Sequence, residues 1–266
     1  MFVTPDRVKS SVRQEGKGKL VGLARALSKL GYCSRSRAFL LIREGRVRLN
    51  GKTPRNPETP VRLGLDLIVV DGKQSAAAER AYLILNKPRG LVTTADDEKG
   101  RATIYSLLPK GREWIAPIGR LDKASEGLLL LTNDSEWGAR ITHPASGLEK
   151  TYHVQIGRAA GPKLLESLVR GVEMPNGERL KARRASLVRS GERNSWIEIV
   201  LDEGKNRQIR RMLDALGVEV LRLVRVAIGP LQLGKLAKGA HRSLRQEEKE
   251  ALDQVIRVSS SPRSLP

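Results

Sequence analysis

Apolar positions recur at helical spacing from Leu20 through Leu23, Ala24, Leu27 and Leu30, and Gly31 supplies a C-terminal stop. Ser34 is placed to cap a second helix, Arg35 to Glu44, with Ala38, Leu41 and Ile42 inward and Arg35, Arg37 and Arg43 left for solvent or phosphate. The pattern then shifts to short strands. Val47-Arg48-Leu49 leads into the turn pair Asn50-Gly51, a Pro-rich crossing runs from Thr53 to Pro60, and Leu67-Ile68-Val69-Val70 closes on Asp71-Gly72. Residues 20–73 therefore read as two basic helices with a small sheet. Residues 74–80 carry no buried pattern and read as a linker.

A second domain starts at Ala81. Its apolar runs predict strands at Tyr82 to Leu85, Trp114 to Leu121, Leu128 to Thr132, Tyr152 to Ile156, Leu180 to Val188 and Trp196 to Leu201. Between them fall helices at Thr103 to Leu108, from Ser135, at Pro162 to Val169 and at Asn206 to Leu216. Several connections are too short for parallel crossovers, so the expected class is α+β with a mixed, largely antiparallel sheet. Ser243 and Gln246 have capping-box spacing for a last helix, Leu244 to about Ile256, which closes the domain at residue 257. Residues 1–19 read as a flexible basic arm and residues 258–266 as a loose tail.

Charge changes this picture. The chain holds 49 Lys and Arg against 29 Asp and Glu, a formal net charge of +20, and half of that excess lies in residues 1–73. A polyanion is the expected partner. Counterion release makes such binding strong, salt-sensitive and blind to sequence, so selection of a site needs other groups. Lone Cys33 rules out an internal disulfide, and His143, His153 and His241 lack zinc-ligand spacing, so no metal is expected. No apolar stretch approaches the ~20 residues of a membrane span and the first residues do not resemble a secretory signal, so a cytoplasmic protein is expected. Aromatic residues are only 3% of the chain, which argues against RNA-binding folds that need several exposed rings for stacking.

Three stretches carry candidate chemistry. In Gly119-Arg120-Leu121-Asp122-Lys123-Ala124-Ser125-Glu126-Gly127, a carboxylate lies in a short loop between two apolar runs, flanked by basic side chains. A carboxylate among cations stays ionised and can act as nucleophile or base, whereas an isolated loop aspartate more often braces a turn. In Glu203-Gly204-Lys205-Asn206-Arg207-Gln208-Ile209-Arg210-Arg211-Met212-Leu213, the apolar residues fall on one helix face and Arg207, Arg210 and Arg211 on the other. Its N-terminus places positive dipole near Lys205, a setting for a phosphate or a carboxylate; the alternative is a solvated surface helix. Tyr152, in Glu149-Lys150-Thr151-Tyr152-His153-Val154, is either a core tyrosine or an active-site ring. Gly229 to Lys235 mimics the start of a P-loop, but Leu236 stands where Ser or Thr is required, so no nucleotide cofactor is expected.

Two family resemblances follow from these motifs. Gly31-Tyr32-Cys33-Ser34-Arg35-Ser36-Arg37-Ala38 with Gly45-Arg46-Val47-Arg48-Leu49-Asn50-Gly51 resembles the S-four (αL) RNA-binding module. Leu85-Asn86-Lys87-Pro88-Arg89-Gly90, Gly119 to Asp122, Glu149 to Tyr152 and Glu203 to Met212 resemble, in order and spacing, the RsuA/RluB/RluE/RluF group of bacterial ribosomal RNA pseudouridine synthases. That resemblance implies a small N-terminal αL domain followed by an α+β catalytic domain that isomerises a uridine without cofactor or metal. It implies Asp122 as catalytic aspartate, Tyr152 as active-site tyrosine and Lys205 as the basic residue pairing with the aspartate. Arg120 matches a position that supports the displaced nucleotide, and Asn86-Lys87-Pro88 a motif whose role is structural. Arg35, Arg37, Arg43, Arg207, Arg210 and Arg211 complete the expected RNA-binding set. The expected partner is ribosomal RNA or a ribosomal subunit precursor, with large-subunit RNA favoured, and the expected enzyme is a monomer. A ribosome-associated assembly factor using the same fold without turnover, and a glycosylase releasing free uracil, are the alternatives. Retention of Asp122, Tyr152 and Lys205 together disfavours the first, because a carboxylate among phosphates repels them.

Overall fold

A computed structural model describes residues 20–75, 78–94, 100–109 and 114–260, with side chains described as far as residue 257. The basic arm expected over residues 1–19 and the tail from residue 261 lie outside the described residues. The chain divides into two compact units: the first contains the segments ending at Leu27 and running Arg35–Ala76, the second Ser28–Ser34 and everything from Ala77.

In the first unit β1 (Leu20–Gly22) leads into α1 (Leu23–Lys29), followed by α2 (Arg35–Arg43), β2 (Val47–Leu49), β3 (Pro60–Arg62), β4 (Ile68–Val70) and β5 (Lys73–Gln74). Leu23, Leu27, Ala38, Leu41, Ile42, Val47, Val61, Ile68 and Val70 are buried, as the apolar spacing predicts. Strands β1, β3 and β5 differ from the expectation, β5 taking in Gln74 of the expected linker. Leu20 is not the first turn of a helix; it is 57% exposed in β1, which pairs antiparallel with β3 at the end of the Pro-rich crossing. Asn50 (φ 49°) and Gly51 (φ 81°) form the expected tight turn after β2, and Asn50 Oδ1 accepts a hydrogen bond from the Leu67 N–H at 2.9 Å.

The second unit is built on a nine-stranded sheet. Its elements in chain order are β6 (Tyr82–Lys87), β7 (Ala116–Ile118), β8 (Glu126–Thr132), α3 (Ser135–Thr142), β9 (Lys150–Ile156), α4 (Pro162–Arg170), β10 (Val172–Glu173), β11 (Arg179–Leu180), β12 (Arg184–Ser190), β13 (Ser195–Leu201), α5 (Gln208–Ala215), β14 (Val220–Ile228), β15 (Leu231–Gln232), β16 (His241–Ser243) and α6 (Gln246–Ser260), with a 3-10 turn at Ile104–Leu107. The sheet runs β12-β13-β9-β14-β8-β6-β16, with β15 added to β14 and β7 to β8. Every pairing is antiparallel except β14 with β8. All seven residues of β8 are buried, so its unbroken apolar run reflects cover on both faces.

Four expectations need correction. The stretch from Trp114 to Leu121 forms only a three-residue strand, β7, because its end is drawn into the loop that carries Asp122. Leu180 to Val188 is two strands, β11 pairing with β10 and β12 with β13. Ser243 does not cap α6; it pairs with Leu83 in β16, and the Glu248 carboxylate accepts the Arg245 N–H at 2.9 Å instead. The helix itself runs on to Ser260, past the expected start of the tail. The largest omission is β14, for which no strand was expected. Arg222 and Arg225 fall three apart, and register shifts interrupt the strand between Val220 and Arg222 and between Arg225 and Ala227, so its sequence lacks a clean period of two.

The parallel contact between β14 and β8 is confined to Val224 opposite Glu126 and Arg225 opposite Gly127. Beyond it the two strands part, and β7 pairs with the far end of β8, at Leu130 to Thr132. A cleft opens at this fork.

Candidate active site

The loop from Gly119 to Ser125 leaves β7 and returns into β8 through a turn in which the Ser125 N–H donates to the Asp122 carbonyl at 3.0 Å. Buried groups hold it from below. Thr93 Oγ1 donates to the Leu121 carbonyl at 2.7 Å, and the Lys87 ammonium donates to the carbonyls of Asp122 and Pro88 at 3.1 Å and of Ser125 at 2.9 Å. Lys87 is fully buried at the end of β6, opposite Gly127. The structural role of its motif is therefore specific, because all three donors of the lysine ammonium go to backbone carbonyls, two of them in the Asp122 loop.

Burial pushes the Lys87 ammonium down to about 8, against the opposing pull of Asp122 and Glu126. An unfolded lysine keeps its proton up to about pH 10.4. Between these values the unfolded chain binds more protons than the folded one, so the contribution of this site to stability rises with pH across that window and is flat below it. The expected result is a wild-type stability that gains on that of Lys87→Met as the pH is raised from about 8 to about 10. Urea denaturation of both proteins at several pH values checks this; a constant difference would mean that Lys87 keeps an ordinary proton affinity.

The Asp122 carboxylate is about one-third exposed and faces Arg207, whose Nη1 lies 3.6 Å from Oδ2. Arg207 is the residue before α5 and has a left-handed backbone, φ 48° and ψ 33°. Buried Gln208 organises the segment leading to it, accepting the Lys205 N–H at 3.2 Å and donating to the Lys181 carbonyl and Glu203 Oε1, each at 3.1 Å. The expected pairing of Lys205 with Asp122 is not what the structure has. The Lys205 ammonium lies 3.3 Å from Glu178 and 3.4 Å from Glu203, two carboxylates that outcompete the more distant aspartate. Arg210 is a second cation near Asp122: it is half-buried, donates to the Ala124 carbonyl at 3.0 Å, and burial and Arg207 lower its proton affinity while Asp122 raises it.

The cationic face expected on α5 is thus only partly open. Arg207 is exposed, but Arg210 is tied to the Asp122 loop and Arg211 to Glu178 at 2.7 Å. Arg120 is exposed on the rim.

These elements enclose a cleft of about 580 Å³, a volume in the range of small-ligand sites. Asp122, Arg120, Tyr152, Lys150, Lys205, Arg207 and Arg225 line it, with Ile118, Leu223 and Ile228 as apolar walls. Tyr152 comes from β9, directly opposite Arg225 of β14, and its ring is only partly buried among the apolar residues around it. Asp122, Tyr152 and Lys205, three stretches apart in sequence, therefore share one cleft. Sequence reading missed Arg207 as the partner of Asp122, because three cations lie within six residues and spacing alone does not rank them. It also missed Arg225, which belongs to the unanticipated strand.

The family model described as RNA pseudouridylate synthase matches residues 81–215, and that of the S4 domain matches residues 21–67. The chain is 37% identical over 232 residues to ribosomal large subunit pseudouridine synthase B of Bacillus subtilis, covering 86% of this chain and 94% of the relative. An uncharacterized RNA pseudouridine synthase of Aquifex aeolicus is 38% identical over 244 residues, covering 91% and 98%. Among solved structures, one described as the crystal structure of pseudouridylate synthase has 31% identity and a TM-score of 0.61, over 87% of this chain and 99% of that one.

Proposed function

The chain belongs to the RNA pseudouridylate synthase family and is an isomerase of uridine in RNA, and from that premise we propose that Asp122 is its catalytic carboxylate and ribosomal RNA its substrate. The observation that carries this reading is the Asp122 carboxylate facing Arg207 in a cleft that Tyr152 also lines. Uridine and pseudouridine have the same atoms, so the reaction needs no redox equivalent and no transferred group. It needs the N1–C1′ bond broken, the uracil turned, a C5–C1′ bond formed and the C5 proton removed. Asp122, facing Arg207 at 3.6 Å, either adds to C1′ or removes the 2′ proton to give a glycal. Tyr152 stacks on the uracil. Lys205, held by Glu178 and Glu203, orders the segment that aims Arg207. The target uridine leaves its stack at a cost of about a few kcal/mol, which phosphate contacts offset.

Residues 81–257 act as the catalytic domain and residues 20–73 as the RNA-binding module. Large-subunit RNA is the favoured target, since the relative in Bacillus subtilis is named for it. The working unit in this reading is the monomer, and a ribosomal substrate places the enzyme in the cytoplasm. Among the described residues no helix is long and apolar enough to cross a membrane.

Arg35, Arg37 and Arg43 are exposed on α2 and serve as phosphate contacts of the module. Replacing all three with glutamine is expected to lower the slope of log Kd against log salt by up to about 2, at ~0.7 per single-strand phosphate contact. Filter binding between low and physiological salt checks it, and an unchanged slope would move the anchoring charge to the catalytic domain.

The functional test is tritium release from ribosomal RNA transcripts labelled at uridine C5. Release without free uracil is the expected outcome. Free uracil would make the protein a glycosylase, and no release from either subunit's RNA, naked or in subunits, would favour an assembly factor without turnover.

A further inference from the structure

Arg225 is 6% exposed, yet among the described residues no carboxylate lies within ion-pair distance of it. The contrast with its neighbour is direct: Arg222, three residues earlier on β14, reaches Glu126 with two nitrogens at 3.1 and 3.2 Å. At the fork of the sheet, Arg225 Nε donates to the Leu128 carbonyl at 2.8 Å, while Nη2 is shut away from solvent with no hydrogen-bond partner. Capping a carbonyl needs one neutral donor and leaves the positive charge unexplained. A buried, uncompensated guanidinium is costly and persists where a ligand supplies the missing negative charge.

The surroundings identify that charge. Arg225 lies opposite Tyr152 in the β14–β9 register, on the same face of the sheet. Lys150, two residues before Tyr152 on β9, projects to that face as well, and both cations line the cleft. Burial and Arg225 lower the proton affinity of Lys150 against the opposing pull of Asp202, whose carbonyl accepts from the Lys150 ammonium at 3.5 Å. Ser125, 2% exposed beside Asp122, adds a hydroxyl without a partner to the same lining.

We propose that Arg225, with Lys150 beside it, is the counter-charge for the uracil anion formed when the N1–C1′ bond breaks. The inference rests on the synthase reading above. In either route the bond breaks with its electron pair going to N1, and the negative charge spreads over N1, O2 and O4. C1′ stays with the sugar, as the Asp122 adduct or the glycal. A guanidinium and an ammonium offer only donors, which suits an anion whose charge lies on two carbonyl oxygens. When C5 of the turned base bonds to C1′, the ester bond from C1′ to Asp122 breaks and frees the carboxylate, or in the glycal route the proton held by Asp122 returns to C2′. The C5 proton then leaves, N1 takes one up, and the anion is discharged. Because the charge exists only after bond breaking, Arg225 stabilises the transition state more than the bound substrate.

The test compares uridine with 5-fluorouridine at the target position, read under single turnover as formation of the C-linked nucleoside after nuclease digestion. Fluorine makes the base a more acidic leaving group that needs less counter-charge. Arg225→Gln is expected to lose about 100-fold in rate on uridine, but no more than about 10-fold on 5-fluorouridine, with RNA Kd within about twofold of wild type. Lys150→Met, which leaves the Leu128 carbonyl capped, is expected to show the same narrowing at smaller amplitude and carries the test if Arg225→Gln does not fold. Equal losses on the two substrates, or no loss on uridine, would overturn the assignment. A wild type inactive on both would overturn the synthase reading instead.

Discussion

Asp122→Asn is expected to lower single-turnover pseudouridine formation by about 10,000-fold or more while leaving RNA affinity within about threefold of wild type. Asparagine keeps the shape of the side chain and removes the charge. It neither adds to C1′ nor takes a proton, so both routes to bond cleavage close. Binding should survive because the cations around the site remain. Arg207 loses its carboxylate partner at 3.6 Å and Arg210 loses the charge that raises its proton affinity, which leaves both freer to meet phosphate. Tritium release and filter binding on the same preparation check the two halves separately. Parallel loss of binding and turnover would mean that Asp122 holds the loop together and performs no chemistry.

Gly127→Ala is expected to destabilise the protein by at least about 3 kcal/mol, and by enough to prevent folding at ordinary temperatures if the neighbouring strand cannot move. Gly127 has φ 104°, a conformation that a side chain disfavours. A Cβ built there would lie 2.3 Å from the Arg225 carbonyl oxygen and 2.8 Å from its nitrogen, both backbone atoms of β14. Neither can turn aside as a side chain would. The parallel contact between β8 and β14 has only two residue pairs, so forcing one apart removes half of it and displaces Arg225 with it. Urea denaturation gives the stability, and activity of any folded fraction reports the site. A loss below about 1 kcal/mol would show that the strands separate there without cost.

Much of the Asp122 loop was legible in the sequence. Asp122 stands between an apolar segment and Leu128 to Leu131, and a run of four leucines has few ways to be buried other than as a strand covered on both faces. The apolar side of α5 was equally plain, since Ile209, Met212 and Leu213 repeat at helical spacing and all three are buried. Lys87 was recognisable only as part of a motif. Nothing in a period or a propensity says that its ammonium ends beneath three carbonyls, two of them in a loop more than thirty residues away.

By itself the sequence determined the class and order of most elements, the basic character of the N-terminal module, and the few positions at which chemistry is possible. These depend on local spacing and on charge, which are properties of the chain as written. The tertiary structure decided which cation answers Asp122. Lys205, Arg207, Arg210 and Arg211 are near neighbours in sequence, but Glu178 and Glu203 take Lys205, Glu178 takes Arg211, and Arg207 is left to the aspartate. It also decided that Arg225, on a strand whose own pattern is masked by two bulges, stands opposite Tyr152 with an uncompensated charge. Ion pairing follows distances of a few ångströms between segments far apart along the chain, and only the folded sheet sets those distances.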